Sequence, residues 1–169
     1  TPKNATSLGV VGTGAQAIEQ ARFACSVREI EKINIFDLSE NSLGNFLERF
    51  EPNFPEIRIK VSKNAESVCA DSEIIITATN SSDPVFPDKK NLFEGKTFVG
   101  IGSYKPGCRE YPDTFFRNLD QIFIDTIHGL KESGDLIYPL KNGIISRECI
   151  YSLGSLVNGN ISISDASTR

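Results

Sequence analysis

Hydrophobic positions come in short runs of two different periods, and the alternation between them sets the expected architecture. Ser7 to Val11 is apolar at nearly every position, the pattern of a parallel strand covered on both faces. Ala15 to Val27 then spaces Ala17, Ile18, Ala21, Ala24 and Cys25 along one helical face and leaves Glu19, Arg22 and Arg28 for the other. Glu31 to Phe36 reads as a second strand. Ser39 can cap a helix running to about Phe50, with Leu43, Phe46, Leu47 and Phe50 as its stripe, before Pro52 and Pro55 enforce a loop. Ile57, Ile59 and Val61 alternate with Arg58 and Lys60, so the third strand should have a wetter face. Asn64 to Ala70 predicts a short helix, the β-branched run Glu73 to Ala78 a fourth strand, Asp88 to Glu94 a helical turn and Thr97 to Ile101 a fifth strand. Beyond these come a brief helix from Asp113 to Leu119 capped by Asp113, a sixth strand from Gln121 to Ile127, and a helix from about Arg147 to Val157. The polar stretch Asn158 to Arg169 is expected to be loosely ordered. Such alternation predicts an α/β doubly wound parallel sheet of about six strands with helices on both faces.

The junction of the first strand and helix reads L-G-V-V-G-T-G-A-Q-A. In a strand, turn and helix unit Gly12 permits the tight turn, Gly14 lets backbone approach a pyrophosphate, and Ala17 allows close helix packing. The helix start offers N–H groups and partial positive charge to phosphates. Asp37 ends the second strand about 20 residues on, where a ribose-binding carboxylate is expected in a Rossmann fold. A plain packing turn at the glycines, and Asp37 as a mere cap for the next helix, are the bland alternatives. A 2′-phosphate about 5 Å from Asp37 would cost about 3 kcal/mol per unit charge at an effective dielectric near 20. Leu38 follows where an NADP site usually places arginine. The expected cofactor is therefore NAD, with NADP less favoured.

The 169 residues have the size of one domain, and 18 basic against 22 acidic residues give a net charge of -4, which argues against a nucleic-acid surface. No run approaches the ~18 apolar residues of a membrane span, and no signal peptide is evident, so a cytoplasmic setting is expected. Cys25, Cys69, Cys108 and Cys149 lie far apart without C-x-x-C spacing and read as inert thiols rather than disulfides or a metal site. His128, the lone histidine, has no nucleophile motif beside it and reads as structural. There is no methionine, and Thr1 to Ser7 reads as the approach to a strand; an excised domain is expected.

The segments L-G-V-V-G-T-G-A-Q-A, F-D-L-S, I-I-I-T-A-T, F-V-G-I-G-S-Y-K-P-G-C-R-E, F-I-D-T and S-G-D-L-I-Y-P-L resemble, in order and spacing, the ornithine cyclodeaminase and mu-crystallin family. The likeness runs from about Leu8 to Asn160. It implies that residues 1–169 are the single NAD(P)-binding Rossmann domain of a two-domain protein, whose other domain brings a substrate arginine, a catalytic lysine and the homodimer interface. Cofactor contacts carried over fall on Gly12, Thr13, Gly14, Ala15 and Gln16; on Asp37, Leu38 and Ser39; on Thr77, Ala78 and Thr79; and on Ile101, Gly102 and Ser103.

Cyclodeaminases carry G-x-D-x-P-G-K in the loop after the fifth strand. Here Tyr104 stands at the aspartate position and Cys108 at the lysine position. A phenol is a poor base at neutral pH but can donate a proton, as imine reduction requires. The resemblance therefore implies an NAD-dependent oxidoreductase acting on a small amino acid or cyclic imino acid, with Tyr104 as the catalytic candidate or as mere packing. Ornithine cyclodeamination and a non-catalytic dinucleotide-dependent binder are the alternatives. The fragment alone should bind dinucleotide without turnover. Arg109, Glu110 and Asp125 are left between functional and loop-orienting roles.

Overall fold

A computed structural model describes residues 2–163. Thr1 and residues 164–169, half of the last polar stretch, lie outside the described residues. The chain divides into two compact units. The first takes the chain up to Asn80 and then Leu92–Gly102; the second takes Ser81–Asn91 and the chain from Ser103 onward.

The first unit is built on five parallel strands: β1 (Ser7–Val11), β2 (Lys32–Phe36), β3 (Arg58–Val61), β4 (Ile74–Thr77) and β5 (Thr97–Gly100). Their order is β3-β2-β1-β4-β5, with Leu8 opposite both Ile33 and Ile74. The reversal of direction beside β1 is the doubly wound arrangement, and right-handed crossovers put helices on both faces. Burial follows strand position. β1 and β4 are buried along nearly their whole length, whereas the edge strand β3 exposes three of its four residues. The wetter third strand that the alternation predicted is thus an edge.

Helix α1 (Ala15–Val27) has the predicted bounds, with Ala17, Ile18 and Ala21 fully buried against the sheet. Helix α2 (Glu40–Phe50) begins at Ser39, whose hydroxyl accepts the Ser42 N–H at 3.2 Å, and buries Phe46 and Phe50 completely. Those two rings stack at 5.3 Å, and Phe54 continues the stack at 4.7 Å from Phe50. Burying each large apolar side chain is worth about 1.5–3 kcal/mol, so this stripe is a principal anchor of the core. Helix α3 (Ala65–Ala70) is capped by Asn64, whose Oδ1 accepts the Ser67 N–H at 2.8 Å.

The second unit departs from expectation in three places. The predicted sixth strand is β6 (Ile122–Ile124), but it pairs in parallel with β7 (Ile150–Ser152) in a sheet of its own, leaving five strands in the main sheet. The predicted helix from Arg147 resolves into a turn at Arg147–Cys149, strand β7 and a short helix. Ile150 and Tyr151 favour a strand when a partner is available, and Ser152 restarts a helix by accepting the Ser155 N–H at 3.2 Å. Finally, α4 (Asp113–Arg117) has Pro112, not Asp113, at its N-cap. Asp88 accepts the Thr114 N–H at 3.1 Å, and Asp113 instead pairs with Arg109 at 3.0 Å. Two further helices, α5 (Gly129–Glu132) and α6 (Gly134–Lys141), pack together, and α7 (Leu153–Val157) follows β7. Among the described residues no helix is long and apolar enough to cross a membrane.

Candidate functional site

In the first unit the carboxyl ends of β1, β2, β4 and β5 form one edge. Gly12 leaves β1 with φ +81°, and its N–H donates to the Phe36 carbonyl at 2.9 Å. A Cβ there would lie 2.7 Å from the Ala78 carbonyl oxygen and 2.8 Å from Thr79 Cγ2. Only glycine meets both the left-handed backbone and that close approach. Thr13, fully buried, donates its N–H at 2.7 Å and its hydroxyl at 3.1 Å to Asp37 Oδ2. Asp37 Oδ1 accepts the Ser39 N–H at 2.9 Å. The helix-cap alternative for Asp37 is therefore only part of its work, since Ser39 is the N-cap and Asp37 braces both the glycine turn and that cap.

Gly14 is the N-cap of α1 and makes no side-chain cap bond, and the first turn holds no acidic residue. The other two helices of this unit differ, each with a side-chain cap and a glutamate in the first turn. Gly14, Ala15 and Gln16 are exposed. The first N–H groups of α1 and its dipole thus face the open side of a glycine turn, a setting that suits a phosphate. Thr77 is buried at the end of β4; the Ile101 N–H donates to its carbonyl and the Ala78 N–H donates to that of Val11, both at 2.9 Å. Leu38 is 93% exposed beside Asp37. Every proposed contact from Gly12 to Gly102 falls in this unit, and the cradle fits a dinucleotide's diphosphate and ribose.

Ser103 and Tyr104 belong to the second unit. Ser103 Oγ donates to the Cys108 carbonyl at 2.6 Å and accepts the Asp135 N–H at 2.9 Å. Tyr104 is exposed, with Lys105 Nζ 5.3 Å from its ring centre. Arg109 lies 3.9 Å over the Tyr138 ring and donates to the Tyr111 carbonyl at 3.2 Å. Glu110 is fully buried, whereas Asp125 is exposed and accepts the N–H of its own neighbour Thr126. The sequence reading missed Asp135. It is 6% exposed, and its carboxylate accepts the Glu110 N–H on both oxygens at 3.0 Å and the Tyr111 N–H at 3.2 Å. Burial pushes its pKa up to about 6 in spite of those donors; the Glu110 charge adds to the rise and Arg109 opposes it. The only signal in the sequence was an acid between a glycine and an apolar run.

The four cysteines are free, and burial pushes the Cys25 and Cys69 thiols up to about 11, so both are inert at neutral pH. His128 is exposed at the start of α5, consistent with a surface role. No cluster of three or more metal-ligating side chains occurs among the described residues.

Comparison with known proteins gives a match over residues 1–167 to the family model described as ornithine cyclodeaminase/mu-crystallin family. A Δ1-pyrroline-2-carboxylate reductase of Bacillus cereus is 31% identical over 158 residues, 92% of this chain and 48% of the relative. The solved structure of Thermococcus litoralis Δ1-pyrroline-2-carboxylate reductase, in complex with NADH and L-proline, superimposes with TM-score 0.86 at 30% identity, covering 95% of this chain and 49% of that one. An archaeal alanine dehydrogenase dimer with bound NAD matches in fold, with TM-score 0.84 at 24% identity over 98% of this chain and 51% of that one. This chain spans about half the length of the curated relatives it matches.

Proposed function

Because the chain belongs to the ornithine cyclodeaminase/mu-crystallin family, we propose that it is the dinucleotide-binding part of an NAD-dependent oxidoreductase acting on a small cyclic imino acid or amino acid. The observation that carries this reading is the pairing of an uncapped α1 N-terminus with an Asp37 carboxylate already aimed by Thr13. The diphosphate would lie on the N–H groups of Gly14, Ala15 and Gln16, with Gly12 and Thr13 holding the turn. Asp37 would accept from the adenosine ribose, flanked by Leu38 and Ser39. Thr77, Ala78 and Thr79, and then Ile101 and Gly102, would line the path to the nicotinamide. When bound, the cofactor supplies hydride.

The chain's own contribution to chemistry is proton supply. Tyr104 stands where cyclodeaminases carry a basic aspartate, and its exposed hydroxyl can give a proton to an imine nitrogen as the adjoining carbon gains hydride. Loss of the aspartate favours imine reduction over ornithine cyclodeamination. The reductase relatives, one of them solved with NADH and L-proline, support the same substrate class. We further propose that the other half of the whole protein supplies the substrate-binding groups and the homodimer interface, and that the four free thiols of this chain suit the reducing cytoplasm.

The test is an assay of the full-length protein. Oxidation of NADH by Δ1-pyrroline-2-carboxylate supports the reading. Conversion of ornithine with NAD to proline and ammonia would replace it with cyclodeamination, and a tight NADH complex without either turnover would replace it with a non-catalytic binder.

A further inference from the structure

The second unit contains a polar cluster that neither cofactor binding nor proton supply accounts for. Three consecutive residues, Ser133, Gly134 and Asp135, meet the loop Ser103–Tyr111 one after another. The Ser133 hydroxyl reaches Ser103 Oγ at 3.0 Å, and the Asp135 N–H donates to that same oxygen at 2.9 Å. At Gly134 a Cβ would lie 2.2 Å from the Cys108 carbonyl oxygen and 2.7 Å from that of Pro106, so the two backbones touch and no other residue fits. The Asp135 carboxylate takes the Glu110 and Tyr111 N–H groups at the loop's far end. Both feet of the loop are thereby held, at Ser103 and at Glu110–Tyr111. Between them Tyr104, Lys105, Pro106 and Gly107 stand exposed as an arch, closed by the Cys108 N–H on the Lys105 carbonyl at 3.0 Å.

A buried carboxylate is an expensive way to tie down a loop. Its acceptors could be met by a neutral side chain, and burial of the charge opposes folding near neutral pH. What the carboxylate adds is charge-assisted bonds to two successive amides, which fix the direction of the peptide planes at that foot. Groups held at such a cost are often retained for placement rather than stability.

We propose that Ser133–Gly134–Asp135 is a positioning latch that sets the conformation of the Ser103–Tyr111 loop and so the direction in which Tyr104 presents its hydroxyl. The inference rests on the proposed imino-acid reduction for its catalytic consequence, but not for its structural one. Asp135 touches neither substrate nor reacting atoms; it acts through the loop. The charges that bear on it are Glu110 and Arg109, both on the loop it grips, while Lys131 and Glu132 of the neighbouring α5 are exposed. A proton on Oδ2 leaves Oδ1 accepting both amides but removes the charge and the second contact to the Glu110 N–H, so the latch loosens in acid.

The test uses full-length protein, unmodified and Asp135→Asn, with kcat and KM for Δ1-pyrroline-2-carboxylate and the NADH dissociation constant measured across pH. A misplaced proton donor lowers kcat by about tenfold to a hundredfold. The NADH constant stays within about threefold, because no residue of the diphosphate cradle changes. The unmodified protein loses kcat as pH falls through about 6, and the variant lacks that limb. A folded variant with kcat within about threefold of the unmodified value, or with the acid limb unchanged, overturns the latch. If Asp135→Asn does not fold, Ser133→Ala removes a single hydroxyl and is expected to lower kcat by at least about threefold; an unchanged kcat there is equally decisive. Should the unmodified protein not reduce the imino acid, the functional reading fails first. The latch is then judged by amide hydrogen exchange at Glu110 and Tyr111. Protection in the unmodified protein that is lost in either variant supports it, and equal exchange in all forms refutes it.

Discussion

Replacing Asp37 by alanine should weaken NADH binding and at the same time relieve the barrier to NADPH. The structure allows both effects to be sized. A 2′-phosphate some 5 Å from the carboxylate meets about 3 kcal/mol of repulsion per unit charge at an effective dielectric near 20. Asp37 is partly exposed, and solvent and salt reduce that figure by about half, to about 1.5 kcal/mol per charge. With nearly two charges on the phosphate, about 3 kcal/mol remains, a factor of about a hundred in affinity ratio. Loss of hydrogen bonds to the ribose hydroxyls costs NADH a further ~1.5 kcal/mol or more, since bonds to a charged acceptor are the stronger kind. The ratio of NADPH to NADH dissociation constants should therefore fall by about three orders of magnitude, about a thousandfold or more. Because Asp37 also holds the Thr13 N–H and hydroxyl, Asp37→Asn is the better-behaved companion. It keeps one acceptor oxygen for the turn while removing the charge. Both variants are titrated by nicotinamide fluorescence with each cofactor at low and moderate salt, and the preference of the unmodified protein should narrow as salt rises. Equal affinity of the unmodified protein for both cofactors, or a ratio that moves by less than about threefold in both variants, would falsify the reasoning.

Gly12→Ala must adopt φ +81° and press a methyl to 2.7 Å from the Ala78 carbonyl, so a loss of about 3 kcal/mol in urea stability and of at least about tenfold in NADH affinity is expected. Asp135 has its folded pKa raised from 3.8 to about 6, so the folded state binds the extra proton; its contribution is present in acid and is lost as pH rises through about 6. From this group alone stability should rise by about 1 kcal/mol between pH 7 and pH 5, and Asp135→Asn should flatten that difference in urea midpoints. Cys25 and Cys69, with thiols pushed up to about 11, should resist iodoacetamide at neutral pH when alkylated sites are mapped by mass spectrometry; rapid labelling of either would contradict its burial.

The parts of the molecule legible in the sequence are those where one local rule decides. The span Ala15–Val27 has a long helical stripe and a glycine before it, and it folds as read. β1 and β4 are apolar at nearly every position because both faces are covered. The glycine turn and Asp37 could be paired by spacing, although the bonds from Thr13 that aim the carboxylate could not. Illegible were the features that depend on distant partners. β6 was legible as a strand, but not its pairing with β7, whose three residues are too few to show a period and which needs β6 to be a strand at all. Asp113 was the reasonable cap for its helix by proximity, yet Asp88 takes the Thr114 N–H from 26 residues away. Asp135 stood in the sequence only as one residue of the segment S-G-D-L-I-Y-P-L, with no role assigned. Its bonds to Glu110 and Tyr111 exist only because the fold brings α6 to the loop.

The discontinuity of the second unit has a consequence for biogenesis. Translation delivers the chain from its amino end, and the five-stranded sheet has all its strands once Gly100 has left the ribosome. The excursion Ser81–Asn91 emerges before that point, but its companions from Ser103 onward have not yet emerged. Phe86, which stacks on Tyr111 at 5.8 Å, must wait in water until that ring arrives, and β6 must wait longer still for β7. The nascent polypeptide therefore has a complete five-stranded sheet while the second unit is still unfinished and partly apolar, the interval in which a chaperone would have most to shield.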